Sequence, residues 1–199
     1  MRKISTDIVR RLWIAAVVVV LGTGWQGNAR AAGSGQASNP MQQIAASVLA
    51  DIGKATWIAE GKGPHVAYVF FDPNCPYCHK LYEATRSEVQ AGKLQLRWIP
   101  VGILLPTSHG KAVAMLGAKD PLKAFYQNED HYTMGDGGID EDLGTLEVEK
   151  KLSANEALLA RTQLGAVPLM LFYSKEGEPV MNQGAPPKDR LAAILAHIK

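Results

Sequence analysis

Cysteine is scarce in this chain: Cys75 and Cys78 are the only two among 199 residues. With nothing else to pair with, they serve each other, and so short a closed loop would restrict the unfolded chain little as a structural staple. Basic charge is also scarce beyond the N-terminus. Five of the 21 Lys and Arg residues and one of the 19 acids precede position 32, leaving 16 basic and 18 acidic residues, which excludes a basic nucleic-acid surface. Metal-ligand clusters are lacking. His65, His109, His131 and His197 stand singly, so zinc on the cysteine pair would miss two ligands. The acids between Asn128 and Glu141 lack EF-hand spacing, and this stretch with Gly135-Asp136-Gly137-Gly138 reads as a solvated loop. Apolar runs are short. The N-terminal one, Leu12 to Gly24, falls below the roughly 20 residues of a membrane-spanning helix.

At 47% hydrophobic and 20% charged residues, the rest is one ordinary globular domain. Arg2, Lys3, Arg10 and Arg11, the apolar run and Ala29-Arg30-Ala31 together read as a signal peptide over 1–31, with an uncleaved signal anchor as the alternative. No cysteine follows the apolar run, which excludes lipid attachment there. The expected location is an exported, oxidising compartment. Residues 32–40 form a Gly/Ser-rich linker.

The two cysteines share one junction. Val66 to Phe71 is an unbroken apolar run, Asp72-Pro73-Asn74 supplies turn residues, and an amphipathic helical pattern with Leu81, Tyr82 and Val89 runs towards Gly92. N–H groups at a helix start have no internal partner, and the helix dipole adds about half a positive charge there. A thiolate at Cys75 meets both. An ordinary cysteine is only about 3% thiolate at pH 7, whereas helix-start Cys-x-x-Cys cysteines titrate at roughly 3.5–7. Tyr77 and Cys78 can donate N–H bonds to the sulfur; Pro76 cannot. Cys75 is therefore expected to be the exposed nucleophile and Cys78 the buried resolving thiol. His79 lies about one helical turn beyond Cys75, either as an imidazolium lowering its pKa or as a solvent-facing histidine. Cys75-Pro76-Tyr77-Cys78-His79 also matches the c-type haem attachment pattern, although a strand before and a helix after argue against haem.

In chain order, a helical pattern runs from Met41 through Ile44, Val48, Leu49 and Ile52 to Trp57 and Ile58, with a break expected at Gly53. Val66–Phe71 and Lys93–Val101 are expected strands, the first central and covered on both faces. Helices are expected over Ser108–Ala118 and Pro121–Gln127, the latter capped by Asp120. Ser153-Ala154-Asn155-Glu156 reads as a capping box opening a helix towards Gly165. The strand Leu169–Tyr173 follows Val167-Pro168, whose peptide bond is expected to be cis. A turn at Lys175–Glu178, an edge strand at Val180–Asn182 and a helix over Pro187–Ile198 close the chain.

This order is that of an α/β thioredoxin-like fold with an inserted helical subdomain at about 106–164, the catalytic domain spanning 56–199 after a linker and helix at 32–55. Trp57–Lys62, Tyr68–Cys78, Gly92–Arg97 and Ala118–Pro121 resemble the periplasmic disulfide isomerase/reductase family of DsbC and DsbG, and Cys-Pro-Tyr-Cys looks most like the DsbG branch. The resemblance implies a periplasmic dithiol oxidoreductase without a bound cofactor or metal, acting on exported cysteine-containing proteins. Carried over by position, Cys75 is the attacking thiol, Cys78 the resolving thiol, their disulfide the redox-active one, and Pro168 the cis-proline that helps bind substrate. Pro76, Tyr77 and His79 support the pair. A membrane reductase of the DsbD type would keep it reduced.

Three departures qualify this. Residues 32–55 leave room for a linker helix but not for the family's dimerisation domain, so a monomer and weak isomerase activity are expected. Val167 stands where that branch usually has threonine, as in the oxidase DsbA, which opens the alternative of a disulfide donor with a DsbB-type partner. His79 stands where the branch usually has lysine. A non-catalytic module binding exported peptides is the reading from another class.

Overall fold

The computed structural model describes residues 39–199; the segment read as a signal peptide and most of the linker lie outside them. Helix α1 (Pro40–Ala50) opens on Asn39, whose side chain accepts the Met41 N–H, with Pro40 at the first helical position. The helix does not extend to Trp57 and Ile58. It ends at Ala50, a 3-10 turn over Ile52–Lys54 contains Gly53, and Ile58–Glu60 form strand β1. The strand wins because Ile58–Glu60 have partners for their backbone groups in β3 (Leu94–Pro100), Ile58 lying opposite Trp98.

Strand β2 (His65–Phe71) leads into helix α2 (Pro76–Gln90), which crosses over to β3, parallel to β2. Strands β4 (Leu169–Tyr173) and β5 (Pro179–Gln183) complete a five-stranded sheet in the order β1-β3-β2-β4-β5, all pairs but β2–β3 antiparallel. Central β2 is covered on both faces, as its unbroken apolar run implies. Val69 and Phe71 enter the core with α2, α4 (Pro121–Asp130) and α6 (Lys188–His197), while Phe70 enters the opposite one with α1 and α5 (Leu146–Arg161). Trp98 and Ile99, and Met170 and Leu171, divide between the faces in the same way.

Between β3 and β4 stand α3 (Ser108–Gly117), α4 and α5. Asp120 caps α4 as its position before Pro121 implies. The capping box at Ser153–Glu156 is not formed. Helix α5 begins eight residues earlier, at Leu146, where the Thr145 hydroxyl takes the Val148 N–H and Glu147 and Glu149 occupy the first turn. Residues in mid-helix satisfy their N–H groups within the helix, so Ser153 has no orphan donor to cap. Fully buried Asn155 instead joins α5 to the sheet: its amide donates to Thr56 O and Pro100 O and accepts the Thr56 N–H. Val148 and Leu152 close a small core with Ala112, Val113 and Leu116 of α3, and Leu158 and Leu159 reach the sheet.

Candidate active site

The site forms where β2 ends and α2 begins. Cys75 is the N-cap of α2 in extended conformation, and Pro76 takes the first helical position. The Cys78 N–H donates to Cys75 Sγ at 3.2 Å, so the sulfur accepts one of the helix's orphan donors, as expected. Strand β4 runs antiparallel to β2 with Leu169 opposite Phe70, and this register brings the residues preceding β4 beside the turn that carries Cys75. The Val167–Pro168 bond there is cis, and Val167 O lies 3.7 Å from Cys75 Sγ.

Both cysteines are free thiols within the main core cluster. Cys75 is not the exposed residue its place at a helix start suggests: it is 2% exposed, because the loop before β4 and the first turn of α2 close over it. The accessible surface of the motif belongs to Pro76 and Tyr77, the latter 57% exposed. Among the described residues, no group of three or more His, Cys, Asp and Glu is placed to hold a metal ion.

The two thiols are driven apart. The Cys78 thiol hydrogen-bonded to it, and then the N–H groups of Cys78 and Tyr77, hold Cys75 below the ordinary thiol range, against burial and the nearby Asp72 charge. Burial, followed by the hydrogen bond and charge of Cys75, pushes Cys78 well above that range. As pH rises, Cys75 therefore ionises first. Alkylation of Cys75 should set in below the pH at which an unperturbed cysteine (pKa about 8.5) reacts, and Cys78 should stay unmodified well above it. Mass spectrometry of the trapped thiols across a pH series checks this; equal labelling of the two at neutral pH would contradict it.

His79 is neither solvent-facing nor engaged with Cys75. Its Nδ1 lies 3.0 Å from Glu129 Oε2 on α4, and its ring stacks on Tyr132 at 4.4 Å. Glu129 is buried, which raises its carboxyl above the usual range, although His79 and Asn128 hydrogen-bond to it. Tyr132 is pushed up to about 12 by burial and then by the charges of Cys75 and Glu129.

Sequence reasoning missed the groups that hold the turn. Asp72, fully buried, accepts four hydrogen bonds: from Asn74 N–H and Ser108 Oγ on Oδ1, and from Ile103 N–H and Leu104 N–H on Oδ2. Asn74 donates to Thr107 Oγ1 and Ser108 Oγ, accepts the Gly137 N–H, and its carbonyl accepts the Tyr132 hydroxyl. Asn128 donates to Pro73 O. The Gly-rich stretch is thus no plain solvated loop. Gly137 is buried against the turn, and a Cβ there would stand 2.5 Å from Pro73 O. The only signal available beforehand was that two polar residues, Asp72 and Asn74, follow an apolar strand.

A mixed sheet with a cis-proline beside a dithiol at a helix start defines a thioredoxin-fold dithiol protein. The chain belongs to the thioredoxin-like domain family, whose model matches residues 52–199. It is 40% identical over 146 residues to the thiol:disulfide interchange protein DsbG of Pseudomonas aeruginosa, covering 71% of this chain and 56% of the relative. It is 34% identical over 143 residues to DsbG of Escherichia coli, covering 71% and 57%. The chain thus spans a little over half the length of these relatives. Among solved structures, the catalytic domain of Proteus mirabilis ScsC matches with a TM-score of 0.58 at 19% identity, covering 78% of this chain and 96% of that one. The thiol-disulfide exchange protein α-DsbA2 of Wolbachia pipientis matches with a TM-score of 0.59 at 14% identity, covering 78% and 94%. Both share the fold.

Proposed function

We propose that the chain is a periplasmic protein thiol–disulfide oxidoreductase that reduces or isomerises disulfides, or reduces cysteine sulfenic acids, in exported proteins. The observation that carries this is the geometry of the dithiol: Cys75 Sγ caps the start of α2, accepts the Cys78 N–H at 3.2 Å and lies 3.7 Å from the carbonyl of Val167 before Pro168. Cys75 thiolate attacks one sulfur of a substrate disulfide, and the other leaves with its electron pair. Cys78 then attacks the mixed disulfide at Cys75, closing Cys75–Cys78 and releasing the second substrate thiolate. The substrate gains two electrons and the chain loses two. A sulfenic acid would instead lose water in the first step. A membrane donor of the DsbD type returns the electrons. The names of the two curated relatives support this reading.

One feature favours the reverse flow: the residue before Pro168, whose carbonyl lies beside Cys75, is Val167, as in DsbA, rather than threonine. An oxidase would hand its disulfide on and be reoxidised by a DsbB-type partner. Equilibration with glutathione, together with an insulin-reduction assay, tests both. A potential below about −200 mV with insulin reduction supports the reductant, and about −120 mV the oxidase. No exchange in either direction would sink both readings.

A further inference from the structure

We propose that the groove between α2 and α6, at the end of the sheet away from the dithiol, binds a single-chain amphiphilic carboxylate. Its acyl chain would lie between the two helices and its carboxylate among the lysines at the rim.

The groove arises because α6 does not spend its whole inner face on the sheet. Lys188, Leu191, Ala192, Leu195 and Ala196, spaced as one face of the helix, border open space. Across it α2 presents Ala84 and Ser87, one helical turn apart. These small side chains do not fill the gap, and a cavity of about 590 Å³ remains. Small-molecule sites span roughly 300–1,000 Å³ and are apolar with a few convergent polar groups. Leu94 and Leu191, each 2% exposed, supply the apolar floor here.

The polar groups at the rim are of one prevailing sign. Lys93 follows α2, Lys175 stands in the turn between β4 and β5, and Lys188 opens α6. Against them stands Glu88, which Lys93 meets at 3.4 Å. Lys175 and Lys188 have no ion-pair partner among the described residues. From position 32 onward acids outnumber bases 18 to 16, so three lysines around one apolar cavity set a local sign opposite to the rest. His65 also lines the cavity, and its Nδ1 is enclosed without a hydrogen-bond partner. Such a group is a cost in a folded chain. The outer side-chain torsion of histidine is broad, so a turn of the ring would let Nδ1–H donate to an acid group held in the cavity.

The volume suits one small molecule rather than a membrane surface or a folded partner. The leucines and alanines match a chain, and the lysines match a carboxylate. The site is separate from the dithiol, because His65 begins β2 whereas the Cys75 turn follows Phe71 at its other end. Seven strand residues put roughly 20 Å between them. The proposal therefore stands apart from the redox reading.

The test is an NMR titration of the ¹⁵N-labelled full chain with decanoate below its micelle concentration. Saturable shifts centred on Ser87, Leu191 and Leu195 are expected, with the amides of Tyr77 and Cys78 unmoved. Replacing both free lysines, Lys175→Gln with Lys188→Gln, should weaken binding about tenfold, as the loss of two rim ion pairs implies. Decan-1-ol keeps the chain without the charge, and should bind the wild type about tenfold more weakly and be indifferent to the lysine changes. Ala192→Phe, at an exposed position of α6, places a ring in the groove and should abolish binding. Circular dichroism checks folding of both variants. Undiminished binding by either variant overturns the proposal, as do equal affinities for decanoate and decan-1-ol, or shifts that never saturate.

Discussion

Cys75→Ser should abolish disulfide exchange, a loss of about a thousandfold or more, as when a covalent nucleophile is removed elsewhere. Cys78→Ser should instead leave attack in place and stall the product as a stable mixed disulfide. The asymmetry follows from the tuning: Cys75 accepts the N–H bonds of the first helical turn, whereas Cys78 is buried and held protonated. Because the largest influence lowering Cys75 is the Cys78 thiol itself, Cys78→Ala should also raise the Cys75 pKa, while the serine variant, keeping an O–H donor, should raise it less. Non-reducing gels of each variant with a disulfide substrate, and ultraviolet thiolate absorbance against pH, read both effects. A Cys75→Ser chain that still exchanges at the wild-type rate would return the motif to a non-catalytic peptide-binding role.

The second large effect lies outside the motif. Asp72→Ala should destabilise the fold by about 4 kcal/mol, since it strands donors from Ile103, Leu104, Asn74 and Ser108, and each unsatisfied buried donor costs about 1–3 kcal/mol. Relaxation and water reaching the outer N–H groups keep the total below the full sum. Asp72→Asn separates structure from charge. It retains an oxygen for part of the network and removes a negative charge that opposes ionisation of Cys75, so the Cys75 pKa should fall below its wild-type value. Urea unfolding with an unchanged m-value reads the first effect and pH-dependent alkylation the second. A Cys75 pKa that rises in Asp72→Asn would refute the charge argument.

The same turn explains how the inserted helices bear on the chemistry. Asn74 reaches Thr107 and Ser108 at the start of α3 and Gly137 beyond α4, and Asn128 holds Pro73. The insert thus clamps the residues immediately before Cys75, and its Glu129 and Tyr132 meet His79.

What the sequence determined by itself was local. The apolar run Val66–Phe71, the turn residues after it, Pro76 after an N-cap cysteine and the periodicity of α2 all act within about two dozen residues, so the dithiol's place at a helix start was legible, as were β3, β4 and the cap of α4. Where local signals competed with distant partners, the sequence misled. Ile58 continued a helical pattern but found strand partners in β3, and Ser153–Glu156 carried a cap signature inside a helix that had already begun at Leu146. Only the tertiary structure decided the burial of Cys75, the loss of His79 to Glu129, and the anchoring of the turn by Asp72 and Asn74. Those depend on groups 31 to 63 residues apart along the chain, or more. Periodicity carries no record of which polar atoms meet across such separations, because that is settled by how the packed elements place their unsatisfied donors and acceptors.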